Sequence, residues 1–84
     1  MASLPHIQIM SRRECGLCDS AKAVVRQAAD QGLCTWEIMD VGRDKALLVR
    51  YGMDVPVVLV DGMERFRHRI DADALNTVLE ACEC

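Results

Sequence analysis

The sequence predicts an α/β domain in which a mixed four-stranded sheet is covered by helices, in the order β-α-β-α-β-β-α. Three observations predict it. A β-branched strand, a helical stretch and a second strand open the chain, and that order demands a parallel pair with a right-handed crossover. Near the end, Asp61-Gly62 separates two strand-like runs and demands an antiparallel hairpin. Finally, 84 residues suffice for one core and leave no room for a second, so residues 1–84 form a single domain.

The elements follow in order. In HIQIMS, residues 6–11, Ile7, Ile9 and Ser11 alternate with His6, Gln8 and Met10, the period of a strand. Ala21, Val24, Val25 and Ala28 then fall on one face of a helix that ends near Gly32. CTWEIMDV, residues 34–41, alternates again and reads as the second strand. In RDKALLVRYG, Leu47, Leu48 and Tyr51 share one side of a second helix, and Gly52 is a residue that commonly ends one. VVLV has the apolar run of a buried strand, and residues 64–69 form its hairpin partner. Asp71 stands as an N-cap before Leu75, Val78, Leu79 and Cys82, again one helical face.

Composition narrows the function. A net charge of −3 and three aromatics (Trp36, Tyr51, Phe66) argue against a nucleic-acid partner. The longest apolar run, VPVVLV, is far too short to span a membrane. The N-terminus MASLPHIQIM lacks the basic and apolar regions of a signal peptide, so a cytoplasmic location is expected. Five cysteines, an odd number without a secretory signal, do not read as a disulfide framework.

RRECGLCDSAK, residues 12–22, sets Cys15 and Cys18 three apart at the junction of the first strand and first helix. Alone the spacing is a weak signal, but its position adds meaning. A sulfur at a helix N-terminus meets unpaired backbone N–H groups and the positive end of the macrodipole, which favour S⁻ over S–H. Arg12 and Arg13 add positive charge nearby, while Glu14 and Asp19 subtract some. Cys18, one turn on, is near enough to attack a mixed disulfide on Cys15. Gly16 lets the chain turn tightly, and Leu17 offers an apolar flank to a substrate.

Cys15-Gly16-Leu17-Cys18 at this junction, with Asp54-Val55-Pro56 immediately before the third strand, resembles the thioredoxin-fold superfamily. The ending VPVVLVDG and the length resemble its small glutaredoxin-like members. The resemblance implies helices on both faces of the sheet. It also implies a cis Pro56 lying against the redox cysteines, and a Val55 backbone that binds peptide or glutathione. Departures accompany it. Leu17 stands where dithiol glutaredoxins carry an aromatic residue, and Gly16 where they often carry proline. FRHRIDAD replaces a Gly-Gly followed by an acidic residue. Close backbone approach to the γ-glutamyl end of glutathione is therefore expected to be poor. Asp71 is either a carboxylate for an amino group or simply the helix cap. Cys18, in place of serine, argues against the monothiol, cluster-carrying branch.

The expected activity is thiol–disulfide exchange, with Cys15 as nucleophile and Cys18 as resolving thiol. Arg12, Arg13, Gly16, Leu17, Val55, Pro56 and Asp71 are the candidate substrate-binding residues. No bound cofactor is expected. Glutathione is a candidate co-substrate, protein disulfides or glutathione are the expected partners, and the thioredoxin or glutathione system is the electron donor of a monomeric protein. Two other classes stay open: a metal or iron–sulfur binder using the same thiolates, and an interaction domain with a silent dithiol. A Cys15, Cys18, Cys82, Cys84 zinc site has the right ligand count, but the last helix has no evident reason to reach the first. Cys34 is expected as a small buried hydrophobe, Trp36 as sheet packing, His6 and His68 as solvent-facing, and Cys84 as a terminal thiol.

Overall fold

The computed structural model describes residues 4–13 and 15–81; Glu14, Cys82 and Cys84 lie outside them, and with them the zinc alternative. The elements are β1 (His6–Ser11), α1 (Gly16–Asp30), β2 (Thr35–Asp40), a 3-10 turn (Val41–Arg43), α2 (Lys45–Tyr51), β3 (Val57–Val60), β4 (Met63–Arg67) and α3 (Ala72–Ala81). The sheet order is β2-β1-β3-β4, with β1 parallel to β2 and antiparallel to β3, and β3 antiparallel to β4.

Strand alternation divides the core into two layers. Ile7 and Ile9 of β1 and Val58 and Val60 of β3 face α1 and α3, joining Val25, Ala28, Cys34, Leu75 and Leu79. Met10, Val57 and Leu59 point the other way and pack with Val41 and Tyr51. Helices therefore cover both faces, as expected. β3 is buried along its whole length, which explains why it reads as an unbroken apolar run. Fully burying each such side chain contributes on the order of 1.5–3 kcal/mol. Trp36 packs against the first layer and Cys34 lies within it.

The helix ends follow local chemistry. At the end of α1, Gly32 takes φ +77; its N–H donates to Ala29 O (2.9 Å), and the Leu33 N–H donates to Ala28 O (3.1 Å). These are the two bonds of a Schellman ending. Asp61 (φ 51) and Gly62 (φ 84) both have positive φ, the signature of the type I′ hairpin turn. β4 is shorter than expected at its far end: it stops at Arg67 because His68 turns into the left-handed region at φ 65. A bulge between Val58 and Leu59 leaves Arg65 as the extra residue on β4.

Gly52 also ends its helix, but not by the expected left-handed conformation. It is right-handed helical (φ −54), and its role is space: a Cβ there would lie 2.4 Å from Leu48 O and 2.9 Å from Leu48 Cδ1. Leu48 itself turns partly outward, so Leu47 and Tyr51 carry the buried side of α2. Replacing a helical glycine by alanine ordinarily favours a helix. Gly52→Ala should instead destabilise this protein, lowering the melting temperature by roughly 4 °C or more, the shift that about 1 kcal/mol produces in a domain of this size. Thermal unfolding followed by circular dichroism measures it.

Candidate active site

The end of β1 places the two sulfurs. Cys15 is the N-cap of α1, in extended conformation (φ −112, ψ 105), and its Sγ accepts the backbone N–H of Cys18 at 3.2 Å. Its carbonyl accepts from the Asp19 N–H at 3.2 Å. Sulfur thus fills a position usually held by the oxygen of serine or aspartate. Cys15 is partly exposed, whereas Cys18, one turn into the helix, is fully buried. Burial pushes the Cys18 thiol up from its ordinary pKa, and its hydrogen bond with Cys15 pushes the same way. The Arg12 backbone N–H and the Ser11 hydroxyl oppose both. Cys34, in the core, is likewise pushed up by burial.

The Val55–Pro56 peptide bond is cis, as the resemblance implies. The register that pairs Met10 with Val57 brings Pro56 alongside Ser11, at the end of the sheet where Cys15 lies. Pro56 is fully buried, and its carbonyl accepts from the His68 N–H at 2.8 Å. Asp54, just before it, is held by Arg67 Nη1 at 3.1 Å and His68 Nε2 at 3.5 Å. The turn after β4 is therefore tied to the proline loop by one main-chain bond and two side-chain contacts.

Two grooves flank the cysteines. Toward β4, Leu17, Ser20, His68, Arg69 and Ile70 line one of about 270 Å³. Toward β2, Arg12, Arg13, Asp40, Gly42 and Arg43 line another of about 350 Å³, and Lys22 joins Arg12 and Arg13 in the adjoining depression. Among the described residues the one carboxylate lining it, on Asp40, is already engaged: it accepts from the Gly42 N–H (2.9 Å) and pairs with Arg43 (3.6 Å).

The expected substrate-binding residues separate accordingly. Leu17 is 41% exposed and lines the β4-side groove. Arg13 lines the cationic groove. Arg12 does too, but it is not a free charge, because its Nη1 donates to Gly52 O at 3.0 Å and joins the end of β1 to the end of α2. Gly16 is not required for a tight turn; its φ is not positive, and a Cβ there would meet nothing within 4 Å. What it leaves is open space beside Cys15. Asp71 caps α3, with Oδ2 accepting from the Ala74 N–H at 3.1 Å and its carbonyl accepting from Leu75 at 2.9 Å. Where FRHRIDAD lacks glycines, His68 itself adopts the left-handed backbone that glycine favours. The bend is kept, with an imidazole added to the groove. His6 is likewise engaged, with Nδ1 and Nε2 each 2.8 Å from Thr35 Oγ1 and Glu37 Oε2.

Sequence reasoning gave no role to Ser11, Asp54, Arg67 or the Arg43–Lys22 flank. Ser11 had a signal, since it is a polar residue on the apolar face of β1. The others come together only through the sheet order.

Two outcomes follow from this geometry. Brief iodoacetamide treatment at neutral pH should modify Cys15 much faster than Cys18 or Cys34, as peptide mapping would show. Cys18 and Cys34 ionise later than free thiols, so the stability gained by burying them neutral is complete below the ordinary value of 9.0 and is lost as pH rises through their raised values. The second concerns the cap. Serine is a better N-cap than sulfur, a weak acceptor. Cys15→Ser should raise the melting temperature by a few degrees, corresponding to roughly 0.5–1 kcal/mol. A lower melting temperature would contradict the capping role.

Comparison with known proteins agrees with this architecture. The family model described as glutaredoxin-like domain (DUF836) matches residues 6–80. A glutaredoxin-like protein of Dictyostelium discoideum is 33% identical over 81 residues, covering 89% of this chain and 75% of that protein. Among solved structures, a structural-genomics target protein from X. campestris matches with a TM-score of 0.73 at 32% identity, covering 89% of this chain and 96% of its own. A point mutant of thioredoxin from Halobacterium salinarum NRC-1 matches with a TM-score of 0.68 at 28% identity, covering 92% of this chain and 73% of that one. With its sheet order, its cis-proline loop and a family match over nearly its whole length, this chain belongs to the glutaredoxin-like (DUF836) family and has the thioredoxin fold.

Proposed function

We propose that the protein is a thiol–disulfide oxidoreductase in which Cys15 is the nucleophile and Cys18 the resolving thiol. One observation carries this reading: a partly exposed sulfur caps α1, and its hydrogen-bond partner is the backbone of a second, buried cysteine one turn on. The Cys15 thiolate attacks a substrate disulfide, whose S–S bond breaks and releases one thiol. The Cys18 thiol then gives up its proton and attacks Cys15 Sγ, releasing the second thiol and leaving a Cys15–Cys18 disulfide. Two electrons have passed to the substrate. A dithiol of the thioredoxin kind, or two molecules of glutathione, returns them in the cytoplasm.

Protein disulfides are the preferred substrates in this reading. Glutathione is held poorly. Asp71 is occupied as a cap, the β4-side groove carries His68 and Arg69 in place of glycines, and Leu17 supplies no aromatic wall. Arg13 remains for a carboxylate, beside an Arg43 already paired with Asp40. An exposed pair of that kind contributes only ~0–1 kcal/mol, less than the ~1.4 kcal/mol that changes binding tenfold. No resident cofactor enters the reaction.

Cys15→Ser should abolish reduction of insulin disulfides, and Cys18→Ser should accumulate mixed disulfides on Cys15. If Cys18→Ser turns over insulin as fast as the unaltered protein, the resolving role is wrong. With a small glutathione mixed disulfide as substrate and glutathione as donor, turnover should fall well below that of an ordinary dithiol glutaredoxin. Comparable turnover would contradict the weak-glutathione reading and leave the dithiol mechanism standing.

A further inference from the structure

The proline loop is closed into a small ring. Asp54, Val55, Pro56 and Val57 follow one another, and Val57 pairs with Arg67 at the end of β4. From that position Arg67 reaches back to the start of the loop, where its Nη1 donates to Asp54 Oδ2 at 3.1 Å. The guanidinium is oriented from its other side, because its Nε and Nη2 donate to the two oxygens of Glu64 on the same strand. Asp54 Oδ1 lies 3.5 Å from His68 Nε2, so both oxygens of Asp54 face the end of β4. Val55 sits in the middle of the ring. Its side chain packs against the layer under α2, and as the residue before a proline it is held to extended backbone. Among the described residues neither its N–H nor its C=O has a hydrogen-bond partner.

We propose that Asp54 is a positioning residue for protein substrates: gripped by Arg67, it holds the Val55 main chain where an extended peptide can pair with it. The inference rests on the oxidoreductase reading above. The loop is in the right place, since Pro56 lies alongside Ser11 at the end of the sheet where Cys15 begins α1. A strand-like residue with a seated side chain and unpaired main-chain groups is half of a β-bridge. The peptide carrying the target disulfide supplies the other half, its C=O accepting from the Val55 N–H and its N–H donating to the Val55 C=O. Both bonds suffer if the peptide planes of Val55 turn, so an orientation set in advance favours binding. Main-chain bonds tie the residues on either side: the Asp54 N–H donates to Tyr51 O at 2.8 Å, and Pro56 O accepts from the His68 N–H at 2.8 Å. They leave Val55 itself untied. The Asp54 carboxylate adds the missing restraint, because it is held from β4 while its own N–H is held from α2. Stability is not what the pair supplies. Asp54 and Arg67 are both partly exposed, and an ion pair of that kind contributes little to folding.

The test compares a substrate that has a main chain with one that lacks it. Initial rates are measured with insulin, dithiothreitol returning the electrons, and with dithiodipyridine, a small disulfide that offers no peptide groups. Asp54→Asn and Arg67→Gln should each raise KM for insulin roughly fivefold, the scale of one net main-chain hydrogen bond, and leave kcat within about twofold. Oxidation of the reduced protein by dithiodipyridine should stay within about twofold in both variants. The double variant should match either single one, because the two substitutions break the same contact. An insulin KM unchanged in Asp54→Asn overturns the proposal. So does an equal slowing with dithiodipyridine, which would mark the pair as a general support of the fold. Additive effects in the double variant overturn it as well, since Asp54 and Arg67 would then act separately. An unaltered protein that leaves insulin intact, while dithiodipyridine still oxidises Cys15 and Cys18, overturns the protein-substrate reading and this proposal with it.

Discussion

The alternation of β1 is the constraint on which the rest depends. It pairs with β2 on one side and β3 on the other, so it cannot shift along either neighbour without breaking both ladders. It gives Ile7 and Ile9 to the layer under α1 and α3, and Met10 to the layer under α2. A slip of one residue would exchange the two sets and expose both. The strand is therefore held firmly, and so is what its end delivers: Ser11 inside, Arg12 and Arg13 toward β2, and Cys15 where α1 begins. Reactive groups at the tip of a doubly paired strand keep their places better than groups on a free loop.

The two cysteines are chemically distinct because they occupy different places in one turn of helix. Cys15, at the cap, meets solvent and the free N–H groups of the first turn. Cys18 meets the core, where ionisation is opposed by burial and eased by two donors. In the proposed exchange, a difference of this kind orders the steps: the accessible sulfur meets the substrate and the buried one acts only after the first bond has formed. Sulfur as an N-cap is a concession to that chemistry. It is a weaker acceptor than the oxygen of serine, so the helix start gives up some stability where the reactive atom must be.

Around the sulfurs the surface is divided by charge. The sheet order puts β2 and β4 at opposite edges, so the grooves beside Cys15 have different linings. The β2 side gathers Arg12, Arg13, Arg43 and Lys22 in a chain whose net charge is −3, while the β4 side offers Leu17 and Ile70 beside His68 and Arg69. The contacts of Asp54 and Pro56 with Arg67 and His68 hold the second groove to the proline loop. Neither groove is rich in the small residues that let a backbone lie close to a peptide ligand.

What the sequence determined by itself is what local chemistry decides. Period-two alternation marked β1 and β2, the apolar faces marked α1 and α3, Asp61-Gly62 marked the hairpin, and Cys15, Cys18 and Pro56 marked the end of the sheet where the site lies. Each rests on a few consecutive residues whose preferences agree with the fold. The tertiary structure alone decided matters that depend on distant segments meeting. Arg12 reads as a solvated charge until α2 brings the Gly52 carbonyl within reach. Asp54 reads as a loop carboxylate until the turn after β4 brings Arg67 and His68 to it. The physical reason is the same in each case: a hydrogen bond or a steric contact between residues far apart in the chain depends on packing, and no period or propensity along the sequence encodes the partner.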